Sequence, residues 1–168
     1  AAVIASFGEP SVLRVAEAPR PVPGPGQVLV RVHAAGVNPA EILARAGAFR
    51  LRAPAIIGFE FAGVVEAVGP GVDEGAVGDR VAGWPDSATQ GSYAEYTVSS
   101  NFATIPDGVS FEEAAATVIG ADNAARALGL LNLRPGETLV VTGASGALGG
   151  AAVQFARQRG VTVIGVAG

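Results

Sequence analysis

Hydrophobic and polar positions alternate in two different ways along this chain. Up to about Pro106, short apolar runs are separated by turn residues at the spacing of all-β structure. Residues 12–16 form a strand candidate, followed by the proline-rich bend PRPVPGPG. Val28, Val30 and Val32 alternate with Leu29, Arg31 and His33, the period of a strand with one buried face. His33 shares the face of Arg31 and reads as a partly solvated strand residue. Residues 39–46 predict one short helix. Further strands are predicted at 61–68, 80–82 and 93–98, punctuated by Gly69-Pro70-Gly71, Gly78-Asp79 and Gly91-Ser92.

The pattern changes at Ser110. Ser110 and Glu113 have capping-box spacing, in which the hydroxyl accepts from the Glu113 amide and the carboxylate reaches back. An alanine-rich helical stretch runs to about Leu131, with an interruption expected near Gly120. After the turn Arg134-Pro135-Gly136, the β-branched run Leu139, Val140, Val141 enters a turn containing Gly143, Gly146 and Gly149. The following AAVQFARQ reads as a helix that Gly160 ends as a C-cap, and 161–166 as a second buried strand. Strand, glycine turn and helix in that order suit a dinucleotide pyrophosphate, because glycines admit close backbone approach and the helix end offers free N–H groups. Ala144 stands at the first place of the usual three-glycine fingerprint. The same residues also suit an ordinary strand-to-helix loop packed with small side chains.

Composition narrows the classes of function. The 168 residues are 49% hydrophobic and 15% charged, too apolar for a disordered chain despite 24 glycines and 11 prolines. A net charge of −4 without a basic stripe argues against nucleic acid as a partner. No apolar run approaches the roughly 18 residues of a membrane helix. The start AAVIASFGEP lacks a basic segment and long apolar core, so no signal peptide is expected. A soluble, cytoplasmic protein is the expectation. With no cysteine there is no disulfide, thiol nucleophile or Cys-bound zinc, and His33 is the single histidine. No metal site is expected.

Several segments carry a family likeness: GPGQVLVRVHAAGVNPAE, GFEFAGVVEAVGPGV, VGDRVAG, GSYAEY and RPGETLVVTGASGALGGAAVQFARQRG. In this order they resemble the medium-chain dehydrogenase/reductase superfamily, and within it the zinc-free, zeta-crystallin-like quinone oxidoreductase branch. The resemblance implies mixed β and α/β architecture: a GroES-like, partly open β-barrel over 1–109, connecting helices over 110–131 and an incomplete Rossmann domain over 132–168. It also places Asn38 and Phe59 where zinc-containing relatives have a Cys and a His ligand. Without that Lewis acid, the implied chemistry is hydride transfer from NADPH to a quinone or an α,β-unsaturated carbonyl.

Asn38 is then the expected catalytic residue. It precedes Pro39, which holds it extended, although an Asn-Pro turn explains the same pair. Glu60 and Glu41 are further candidates. The expected cofactor-binding residues are Asn123, Ser145, Gly146, Ala147, Leu148 and Gly149. Asn123 replaces a threonine that contacts the cofactor in relatives, with Asp122 beside it. Phe49, in GAFR, stands where relatives often have a tyrosine assigned as proton donor or substrate contact. NADPH is expected over NADH because Ala167 and Gly168 lie where an acid would bind the ribose 2′-hydroxyl.

A complete dinucleotide-binding sheet usually has about six strands, and this sequence reaches Gly168 after two. A fragment, a homo-oligomer or a second, completing chain is therefore expected, with little activity from the isolated 168 residues. Two other readings stand beside the reductase: a non-catalytic binding or scaffold module, and an enoyl-reductase module of a larger synthase.

Overall fold

The computed structural model describes residues 1–49, 51–73, 75–86 and 90–168. They form two compact units, Ala1–Ala116 and Thr117–Gly168.

The first unit contains β1 (Ala2–Ile4), β2 (Leu13–Val15), β3 (Val28–Ala35), α1 (Pro39–Ala46), β4 (Ala55–Ile56), β5 (Phe61–Val68), β6 (Arg80–Trp84), β7 (Tyr96–Ser99) and β8 (Asn101–Thr104). β7, β3, β5, β6 and β8 make one antiparallel sheet in that order, and β2, β1 and β4 make a second. The larger sheet ends at β7 and β8 instead of closing on itself. Its core is Val28, Val30, Phe61, Val65 and Val81, all β-branched or aromatic residues suited to a pleated buried surface. Leu29 is buried as well, at 3% exposure, in a strand paired along both edges by β5 and β7, with a register shift against β5 between Leu29 and Val30. Arg31 and His33 are exposed as their pattern predicts, and His33 stacks on Phe111 at 4.4 Å.

Helix α1 and strand β5 occupy their predicted residues. Elsewhere tertiary pairing overrides the local signal. The short strands β1, β4 and β8 carry too few residues for a period and are defined by their partners. Pro10 starts a 3-10 turn, Pro10–Val12, which delays β2 to Leu13. Strand β7 begins at Tyr96, not Tyr93, because 91–95 bends across Ile57 and Gly58: the amides of Tyr93 and Ser92 donate to their carbonyls at 3.0 and 3.1 Å.

Helix α2 (Phe111–Leu131) runs without a break at Gly120. The capping box is present: Ser110 Oγ accepts from the Glu113 amide at 3.1 Å, and Glu113 Oε2 accepts from the Ser110 amide at 2.9 Å. Within the second unit, Gly120 faces the start of α3 (Ala147–Gln158), where a Cβ would lie 3.1 Å from the Ala147 carbonyl carbon. The glycine is there for close packing between helices and does not end one.

Strands β9 (Thr138–Thr142) and β10 (Thr162–Val166) pair in parallel, Thr138 opposite Thr162 and Val140 opposite Ile164. Leu128, Ala156 and Val161 form the core of this unit with Leu139, Phe155 and Val163 packed against them. The expectation that 161–166 is a buried strand needs correction. Only Val161 is buried, while Ile164 and Val166 are about half exposed on the face away from that core. Gly160 does terminate α3, with φ +74°. Among the described residues no helix is long and apolar enough to cross a membrane.

Candidate functional site

The residues singled out from sequence lie in two places, one in each unit. In the first unit the starting point is α1. Asn38 is its N-cap in an extended conformation, φ −125° and ψ 160°, with Pro39 at the first helical position. Glu41 reaches back from the third helical position. Its Oε2 accepts from the Asn38 amide at 2.8 Å and its Oε1 from the Phe59 amide at 3.1 Å. At 3% exposure this carboxylate needs such donors, and two backbone N–H groups supply them.

Glu60 is equally buried, at 2% exposure, and its Oε1 accepts from Asn38 Nδ2 at 2.7 Å. Gly36 lies directly against it, so close that a Cβ there would stand 1.9 Å from Glu60 Oε1. Tyr93 joins the cluster through its hydroxyl, which donates to the Gly36 carbonyl at 3.1 Å. Burial, then the negative charges of Glu41 and Glu60, push the phenol pKa up from 10.0 to about 12. Tyr93 therefore stays protonated throughout the physiological range. Its hydroxyl holds the Gly36 carbonyl. Beside this cluster, Phe49 meets Phe59 edge to face at 6.1 Å between ring centres. Neither ring offers a proton or a metal-binding atom. Arg50, the last residue of GAFR, lies outside the described residues.

The structure thus brings Asn38, Glu41 and Glu60 into one hydrogen-bonded group. Sequence reading missed Gly36 and Tyr93. Tyr93 sits in the quoted GSYAEY segment, but nothing local says that its hydroxyl meets a loop 57 residues earlier.

In the second unit, the glycine turn links β9 to α3. Gly143 adopts φ +68°, and a Cβ on Gly149 would stand 2.1 Å from the Gly143 carbonyl oxygen. Gly149 is buried, so glycine is required there by packing. Gly146 differs. Its φ is −79°, it is exposed, and the nearest atom to an added Cβ is 3.4 Å away. Among the described residues, no packing contact demands a glycine at that position.

Gly146 is also the N-cap of α3, with no side chain to cap it, and Gly150 closes the first turn on the Gly146 carbonyl at 2.7 Å. The amides of Ala147, Leu148 and Gly149 precede that ladder, at the positive end of the helix. Ser145, Ala147 and Leu148 are exposed around them. This surface, rich in N–H groups around a glycine without a side chain, suits a dinucleotide pyrophosphate. Asn123 is exposed on α2, one turn beyond the Gly120–Ala147 contact. Asp122 lies 3.7 Å from Arg126, a cation that offsets part of its charge. The Ala144 amide donates to the Val166 carbonyl at 3.1 Å, which sets the end of β10, with Ala167 and Gly168, beside the turn.

Comparison with known proteins agrees with this architecture. The chain belongs to the family of alcohol dehydrogenase GroES-like domains, whose pattern matches residues 24–116. It is 41% identical to the quinone oxidoreductase of Rattus norvegicus over 169 residues, covering 96% of this chain and 50% of that protein. A pikromycin polyketide synthase component of Streptomyces venezuelae is 42% identical over 153 residues, 89% of this chain and 4% of the synthase. Among solved structures, a mycobacterial protein complexed with NADPH superposes with a TM-score of 0.85 at 35% identity, covering 98% of this chain and 51% of that one. The chain spans about half the length of the quinone oxidoreductases it matches.

Proposed function

We propose that this chain is part of an NADPH-dependent reductase of quinones or α,β-unsaturated carbonyls. The observation that carries the reading is Gly146, a glycine that packing does not require, at an uncapped helix end in a strand, glycine turn and helix. Likeness to quinone oxidoreductases and to a protein complexed with NADPH supports it. In this reading residues 1–109 shape the acceptor side, 110–131 connect, and 132–168 hold the dinucleotide.

When bound, NADPH supplies a hydride to the acceptor, and a proton from solvent completes the reduced product. Ser145, Gly146, Ala147, Leu148 and Gly149 hold the pyrophosphate through their backbone, and Asn123 hydrogen-bonds the cofactor. The end of β10 has no acid to repel a 2′-phosphate, which favours NADPH over NADH. Asn38 hydrogen-bonds and orients the reacting partners. Positioning of this kind is much of what a protein contributes to cofactor chemistry. The reaction is cytoplasmic, and the working form is a homo-oligomer or is completed by further chain.

An enoyl-reductase module of a larger synthase is the second reading, favoured by the Streptomyces match. Titration of NADPH into the protein separates cofactor binding from a packing loop. Gly146→Val should weaken NADPH binding strongly with little loss of stability, and unchanged affinity would leave the turn a packing role only.

A further inference from the structure

Asn38 is held from two directions. Its backbone amide is taken by Glu41 at 2.8 Å and its side-chain Nδ2 by Glu60 at 2.7 Å. A carboxylate oxygen has only lone pairs to offer, so the amide has one acceptable orientation here. Turned over, it would set Oδ1 against Glu60 Oε1, lone pair against lone pair. Glu60 itself is confined, since it is 2% exposed and Gly36 leaves it no slack: even a methyl group there would overlap its Oε1.

We propose that Glu60 is a positioning residue that fixes the orientation of the Asn38 amide, so that Oδ1, which faces the Glu41 amide in the capping box of α1, keeps its second lone pair for a hydrogen-bond donor on the bound ligand. A hydroxyl or an amide N–H fits that acceptor. The inference rests on the reading of Asn38 as an active-site residue. It adds that the amide must be anchored through Nδ2 before it can work. Glu60 touches neither substrate nor cofactor in this arrangement; its effect passes through Asn38.

Removing the carboxylate charge releases the constraint. In Glu60→Gln the new side-chain amide can either accept from Asn38 Nδ2 or donate to Asn38 Oδ1, so both orientations become populated. The chain should still fold, because size and buried hydrogen bonding are retained. Turnover should fall by about tenfold, the effect of roughly 1.4 kcal/mol in transition-state positioning.

The test is a double-mutant cycle with benzoquinone and NADPH on the protein carrying this chain, using Glu60→Gln, Asn38→Ala and the pair. Residues that act as a unit are not additive. The double variant should therefore be no slower than Asn38→Ala alone. If Asn38→Ala is impaired and the two losses multiply, Glu60 does not act through Asn38 and the inference falls while the active-site reading stands. If Asn38→Ala is fully active, the active-site reading falls, and this inference with it. A second measurement covers failure of Glu60→Gln to fold. In nuclear magnetic resonance of the wild-type chain, the Asn38 side-chain amide proton facing Glu60 should be shifted downfield and well separated from its geminal partner. A pair of free-amide shifts would overturn the proposal.

Discussion

Gly36 and Glu60 are in van der Waals conflict with any side chain but hydrogen: a Cβ on Gly36 would lie 1.9 Å from Glu60 Oε1. Glu60 cannot swing aside without giving up its bond to Asn38. Gly36→Ala should thus lower the melting temperature by several degrees and reduce turnover together. Thermal melts and steady-state assays of the same preparation check both, and a variant as stable and active as wild type would contradict this geometry.

Gly149 and Gly146 separate packing from binding within one turn. Gly149→Ala forces a methyl group into the Gly143 carbonyl, an overlap worth about 1–3 kcal/mol of stability. At Gly146 the nearest atom is 3.4 Å from an added Cβ, so Gly146→Ala should melt close to wild type. A side chain at Gly146 should instead raise the NADPH dissociation constant. Denaturant titrations and cofactor titrations on the two variants should show opposite losses.

Tyr93 gives a pH signature. Its phenol is pushed up to about 12 by burial and by Glu41 and Glu60, so the folded chain keeps a proton that the unfolded chain loses near 10.0. Stability from this source is complete below pH 10 and declines as pH rises towards 12. Ultraviolet titration should show Tyr93 ionising late, and Tyr93→Phe should remove that step.

At the start of α2 the sign is reversed. Hydrogen bonds from the Ser110 amide and hydroxyl lower the Glu113 pKa below its usual 4.5. The stabilisation is present above that value and is lost as pH falls through the lower folded pKa. Ser110→Ala removes only the hydroxyl and keeps the amide, the larger cause, so it should weaken this acid dependence in thermal melts, whereas Glu113→Gln should abolish it. An acid limb unchanged in Glu113→Gln would show that this carboxylate contributes nothing.

Elements whose signal is local were legible in the sequence. The alternation in β3, the Asn38-Pro39 start of α1, the Ser110–Glu113 box and the glycine turn each predict what the structure contains. Strands β1 and β4, of three and two residues, exist because other segments pair with them, and no window that short holds a period. Gly120 misled for a related reason: a glycine in a helix looks like a break until the Ala147 backbone packed against it is seen. At the candidate site, residue type marked Asn38, Glu41 and Glu60. Their mutual bonds, and the part played by Gly36 and Tyr93, depend on segments brought together only by folding.

The most direct measurement is the rate of benzoquinone reduction by the protein carrying this chain, with NADPH and NADH compared at equal concentration. Quinone should be consumed one for one with NADPH, and faster than with NADH. No oxidation of either nucleotide, or a clear preference for NADH, would contradict the proposed reaction and the reading of the turn at Gly146.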